Sequence, residues 1–94
     1  MVYSKVKKEL IDNPSEELVK EVLDEILDVY GECFVDLGIV GEDALVDWVD
    51  ENPNLNESEI SDLYSDSNVV AKYLMETNLD SLMDVIDELI EDFE

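Results

Sequence analysis

Apolar residues recur at helical spacing over almost the whole chain. Val2, Val6 and Leu10, joined by Tyr3 and Ile11, line one face of a first helix. That helix must stop ahead of Asn13-Pro14, because proline disfavours helix at the preceding residue. A second helix is expected to start at once, with Asn13 as N-cap, Pro14 as first helical residue and Glu16 as third, a capping-box spacing. Its broad apolar stripe is Leu18, Val19, Val22, Leu23, Ile26, Leu27 and Tyr30.

Phe34 to Val40 is largely apolar and ends at Gly41-Glu42-Asp43, and its spacing fits a helix end with a loop as well as a short strand. A short helix with Ala44, Leu45, Trp48 and Val49 inward should follow, ending before Asn52-Pro53. Asn56 and Glu59 repeat the capping-box spacing ahead of Ile60, Leu63 and Tyr64. Ser65, Asp66 or Ser67 can cap the next helix, whose apolar positions are Val69, Val70, Tyr73 and Leu74 and which Thr77-Asn78 should break. The last segment turns Leu79, Leu82, Met83, Ile86, Leu89, Ile90 and Phe93 to one side. The pattern predicts an all-α fold, a single domain over residues 1–94 built as a compact bundle of five or six short amphipathic helices with acidic outer faces.

Composition adds what periodicity cannot. The 94 residues include 27 Asp and Glu against five Lys, no Arg and no His, a formal net charge of −22. Such a surface repels nucleic acid and anionic membrane as partners. With no imidazole, no guanidinium and one thiol, Cys33, the usual acid–base and nucleophilic chemistry lacks its residues, and a non-enzymatic role without cofactor is expected. Disorder is not, since 46% of the residues are hydrophobic. The first residues lack the apolar run of a signal peptide, so a cytoplasmic protein is expected, in the host cytoplasm if the gene is a phage's.

Metal and cysteine chemistry find little support. Asp50, Asn52 and Asn54 occupy the first, third and fifth positions of a calcium loop, but Leu55 stands where glycine should turn the chain and Ser61 where a bidentate glutamate should close it. No metal site is expected there. Cys33 sits in the apolar run Cys33-Phe34-Val35 with no basic neighbour, which suits packing rather than reactivity.

The sign of the charge is the feature to explain. Residues 1–20 balance Lys5, Lys7, Lys8 and Lys20 against four acids, so the whole excess lies in residues 21–94, where Lys72 is the one base. There the acids form ridges beside the apolar stripes: Glu17, Glu21, Asp24 and Asp28 on the second helix, and Asp80, Asp84, Asp87, Glu91 and Glu94 on the last. In the second helix the pairs 17/21, 21/24, 21/25, 24/28, 25/28 and 28/32 set acid against acid at helical spacing, a cost of about 1–3 kcal/mol. Retaining so costly a pattern suggests a role. Spread over the roughly 30–35 Å diameter of a domain this size, the excess approaches the linear charge density of duplex DNA.

Three stretches carry a family likeness: Glu25-Ile26-Leu27-Asp28-Val29-Tyr30-Gly31-Glu32-Cys33-Phe34-Val35-Asp36-Leu37, Asn68-Val69-Val70-Ala71-Lys72-Tyr73-Leu74-Met75-Glu76, and Leu82 to Glu94. In them the chain resembles the Ocr-type anti-restriction proteins of phages, acidic helical DNA mimics that occupy the DNA groove of type I restriction-modification enzymes. The resemblance implies phosphate mimicry by Glu25, Asp28, Glu32, Asp36, Asp80, Asp84, Asp87, Glu91 and Glu94, a basic DNA-binding host protein as partner, and a homodimer. Glu17, Glu21 and Asp24 join these acids through their shared ridge. The same electrostatics would suit a CRISPR effector or a polymerase as target. A halophile-type acidic protein and a helical interaction protein docking through Leu79–Phe93 are the competing classes.

Overall fold

Five α-helices and one 3-10 turn organise the computed structural model, which describes residues 2–52 and 63–94 and contains no strand among them. The first helix, α1 (Tyr3–Asp12), buries Tyr3 and Leu10, which lie two turns apart, with Val6 half-buried between them. Val2 and Ile11 fall on the flanks of that line and are 58% and 64% exposed, so the expected five-residue face is narrower than its spacing implied.

The N-cap of α2 (Glu16–Tyr30) is Ser15, not Asn13. Asn13 is already committed to closing α1, its N–H donating to the Glu9 carbonyl at 2.7 Å. Pro14 and an extended Ser15 then redirect the chain, and the Ser15 hydroxyl accepts from Leu18 N at 3.2 Å. The expected capping box is lost, because Leu18 now holds the third position, and Glu16 becomes the first helical residue, where its charge still favours the helix dipole. Ser15→Ala is expected to cost about 1 kcal/mol in urea unfolding while Asn13→Ala stays within a few tenths. A reversed order of the two midpoints would return the cap to Asn13.

Gly31 ends α2 in the left-handed conformation, at φ 67°, its N–H returning to the Leu27 carbonyl at 2.9 Å. Residues 31–41 are turns, neither helix continuation nor strand. Phe34 anchors them: it is fully buried, its N–H donates to the Tyr64 carbonyl at 2.8 Å, and its own carbonyl accepts from Ile39 N at 3.0 Å. Gly38, at φ 76°, allows the chain to fold back so tightly.

Helix α3 (Glu42–Asp50) buries Leu45 and Val49, a single one-turn line, so Trp48 is half-buried and Ala44 exposed rather than inward. The capping pair Asn56/Glu59, the inward Ile60 and all but the first three positions of the calcium-loop stretch lie outside the described residues. A 3-10 turn (Leu63–Ser65) leads to Asp66, which caps α4 (Ser67–Glu76) by accepting from Asn68 N and Val69 N. Thr77 closes α4 as expected. In α5 (Asp80–Phe93) the buried residues are Leu82, Val85, Ile86 and Leu89, with Phe93 60% exposed, so the stripe takes in Val85 and loses its last member.

Helix α4 is central. It packs on α2, on α3 and on the 3-10 turn, and its Val70 and Ala71 are wholly inaccessible, while α1 lies against both α5 and α2. One hydrophobic core joins residues from all five helices and from the 34–40 turns. Among the described residues it gathers 20 apolar side chains.

Candidate functional site

The acidic ridges separate into carboxylates that face solvent and carboxylates used inside the molecule. On α2, Glu17, Glu21 and Asp28 are exposed and form no side-chain hydrogen bond or ion pair with the described residues. Asp24 is half-buried; the buried hydroxyl of Ser67 on α4 and the Lys20 ammonium at 3.2 Å hold its carboxyl below the ordinary value. Glu25 accepts the Tyr3 hydroxyl at 3.1 Å and ties α1 to α2. On α5, Asp80, Asp84 and Glu91 are exposed, but Asp87 pairs with Lys7 of α1.

Glu94 has a different job from the rest of its ridge. Val2, the N-cap of α1, has no side chain that can accept a hydrogen bond, and the Glu94 carboxylate takes its place, accepting the Tyr3 N–H and, at 3.3 Å, the Ser4 N–H. Glu32 and Asp36 are exposed but stand in turns, because α2 has already ended at Gly31. The 28/32 pair is therefore not a helical one. Of the twelve acids singled out by sequence, eight face solvent without side-chain partners among the described residues, and four (Asp24, Glu25, Asp87 and Glu94) hold helices together.

A third ridge lies on α3. Asp43, Asp47 and Asp50 follow one another at four and three residues along α3, all exposed, and Glu88 and Asp92 extend the acidic surface of α5. The signal of the α3 ridge in the sequence is the same i,i+4 and i,i+3 spacing that marks the α2 and α5 ridges.

Where lysines are too few, aromatic groups supply the donors. Besides Tyr3 to Glu25, the Tyr64 hydroxyl donates to Glu42 at 3.0 Å and the Trp48 indole N–H to Glu76 at 2.6 Å. Burial first, and these carboxylates second, push the Tyr3 and Tyr64 hydroxyls above their ordinary pKa, so both remain donors at neutral pH. The Tyr30 hydroxyl, raised by burial and then by Glu88 and Asp92, is the one buried side-chain polar atom without a partner among the described residues.

Concave features are modest. An open recess of 260 Å³ between α1 and α2 is lined by Glu9, Asn13, Ser15, Glu17, Leu18 and Glu21. No group of three or more His, Cys, Asp or Glu among the described residues is arranged to hold a metal ion. Cys33 is half-buried at the edge of the Phe34 turn, more open than its apolar neighbours implied. No described helix is long and apolar enough to cross a membrane.

The molecule is a flattened rod with extents of 39 × 27 × 18 Å. Twenty-two net charges over 39 Å give one per about 1.8 Å, against about 1.7 Å for B-DNA. A single ridge is sparser. Charges three and four residues apart on a helix repeat every 5 Å or so, from a rise of about 1.5 Å per residue, so about three ridges are needed to reach duplex density. Comparison with protein-family models, with curated proteins and with solved structures finds no match for the chain.

Proposed function

We propose that the protein is a non-enzymatic DNA mimic, of phage origin, that blocks the DNA-binding groove of a host enzyme, a type I restriction-modification enzyme first among them. The observation that carries this reading is the charge density: 39 Å of protein bearing 22 net negative charges matches about eleven base pairs of duplex in length and charge. Solvent-facing carboxylates on α2, α3 and α5 stand in for phosphates, and a groove lined with Lys and Arg gains by releasing its own counterions. The acids that hold α1 and α4 in place serve the scaffold.

The reading predicts a competitor of DNA that does not itself touch DNA. Added to a type I restriction-modification enzyme carrying a labelled duplex, the protein should displace the duplex at 50 mM salt. For six to ten phosphate-like contacts, its affinity should fall by about 10³–10⁵ on going to 200 mM. Duplex that stays bound in the presence of excess protein, or an affinity indifferent to salt, would refute competition by mimicry.

A further inference from the structure

We infer that the α3–α4 face around Trp48 is an arginine anchor: a guanidinium of the basic partner stacks on the indole and donates to Glu76. This rests on the mimic reading and adds to it a side-chain preference that phosphate mimicry lacks.

Trp48 is the one tryptophan of the chain, and it is half-buried although the core accommodates Phe34 completely. It is also held still. Its N–H donates to Glu76 Oε2 at 2.6 Å, and its ring meets Tyr73 edge-to-face with centroids 5.7 Å apart and planes at 81°. Its backbone carbonyl accepts the Asn52 side-chain amide at 2.6 Å, securing the end of α3. A ring fixed before binding loses little entropy when a ligand stacks on it. The contact with Tyr73 engages at most one face of the indole.

The electrostatics select the occupant. A carboxylate at the N–H polarises the indole and enriches its π face, and tryptophan is the best aromatic partner for a cation. Glu76 uses Oε2 for the indole, while Oε1 accepts from no described protein group. Glu51, exposed one turn beyond Trp48, adds a second carboxylate at the rim. An apolar partner would strand these charges. A lysine would satisfy the charge, but only a guanidinium both stacks flat and presents a planar fork of donors. The chain holds no arginine of its own to occupy the ring.

The test compares octa-arginine with octa-lysine at 50 mM salt, read by the emission of the single tryptophan and by calorimetry. Octa-arginine should bind about threefold to tenfold more tightly than octa-lysine and change the indole emission saturably. Trp48→Ala should abolish that preference, weakening octa-arginine more than octa-lysine, and Glu76→Gln should reduce it in a background that keeps the ring. Equal affinities for the two peptides on the unaltered protein, or a preference that survives Trp48→Ala, would overturn the anchor. So would a larger emission response to an uncharged amphipathic helical peptide. Duplex displacement by the same variants separates the two readings. Displacement at full strength by the unaltered protein and by Trp48→Ala, with equal affinities for the two peptides on the unaltered protein, removes the anchor and keeps the mimic. An arginine preference that depends on Trp48, without any displacement by the unaltered protein, does the reverse.

Discussion

Neutralising Glu21, Asp28, Asp47 and Asp50 together, as Gln or Asn, is expected to make the protein more stable and a worse inhibitor. All four are exposed and make no side-chain hydrogen bond or ion pair with the described residues, so their removal breaks no such bond among them. It relieves like-charge pairs at helical spacing: 17/21, 21/25 and 24/28 on α2, and 43/47 and 47/50 on α3. Asp28 and Asp50 also lie in the last turns of their helices, where the dipole disfavours an anion. The summed gain is about 1–3 kcal/mol, or roughly 5–20 °C in melting temperature for a domain of this size. Binding moves the other way: each lost phosphate-like contact costs about eightfold at 0.1 M salt, so four cost about a thousandfold or more. Thermal melting and duplex displacement on one variant measure both. Unchanged displacement would mean these ridges do not meet the partner, and a lowered melting temperature would mean the charges serve the fold.

Phe34→Ala should be the most damaging single core substitution. The side chain is the largest of the fully buried ones, and it sits in a segment with no regular structure to fall back on. Its loss costs about 3–5 kcal/mol, a large part of the roughly 5–15 kcal/mol that holds such a domain together. The turn has little room to collapse around the void, because the Phe34 backbone is bonded to Tyr64, Ile39 and Val40. Urea unfolding should show the midpoint falling by at least a third, with Phe34→Leu recovering most of the loss. A cost under 1 kcal/mol would show that the 31–41 turns are held by their backbone bonds alone.

These two sites mark the boundary of what spacing reveals. Helices α1, α2, α4 and α5 are written in the 3.6-residue period, and the α2 and α5 ridges could be read beside their apolar stripes. Phe34 could not be placed, because its partner, the Tyr64 carbonyl, lies thirty residues away and leaves no local trace. The N-cap of α2 is ambiguous for a local reason: Asn13 and Ser15 are both good caps, and only the closing bond of α1 decides between them. Phe93 fits the α5 period perfectly, yet it stays mostly exposed, its ring tilted against Tyr3 with 6.4 Å between centroids. Glu94 reads as one more ridge acid until α1 is folded against α5 and its amides need an acceptor. Within the candidate site, sequence located charge well and could not divide it between solvent and scaffold, because that division is made by tertiary contacts.

Helix α1, laid along α5 with its lysines, has one more effect. Residues 1–20 carry no net charge, so the centre of negative charge is displaced from the centre of mass toward the rest of the body, and the protein has a permanent electric dipole. In the field of a basic groove such a particle turns before it touches, presenting the acidic faces of α2, α3 and α5 and trailing α1. A productive approach is then selected during diffusion, and the neutral edge works as a rudder.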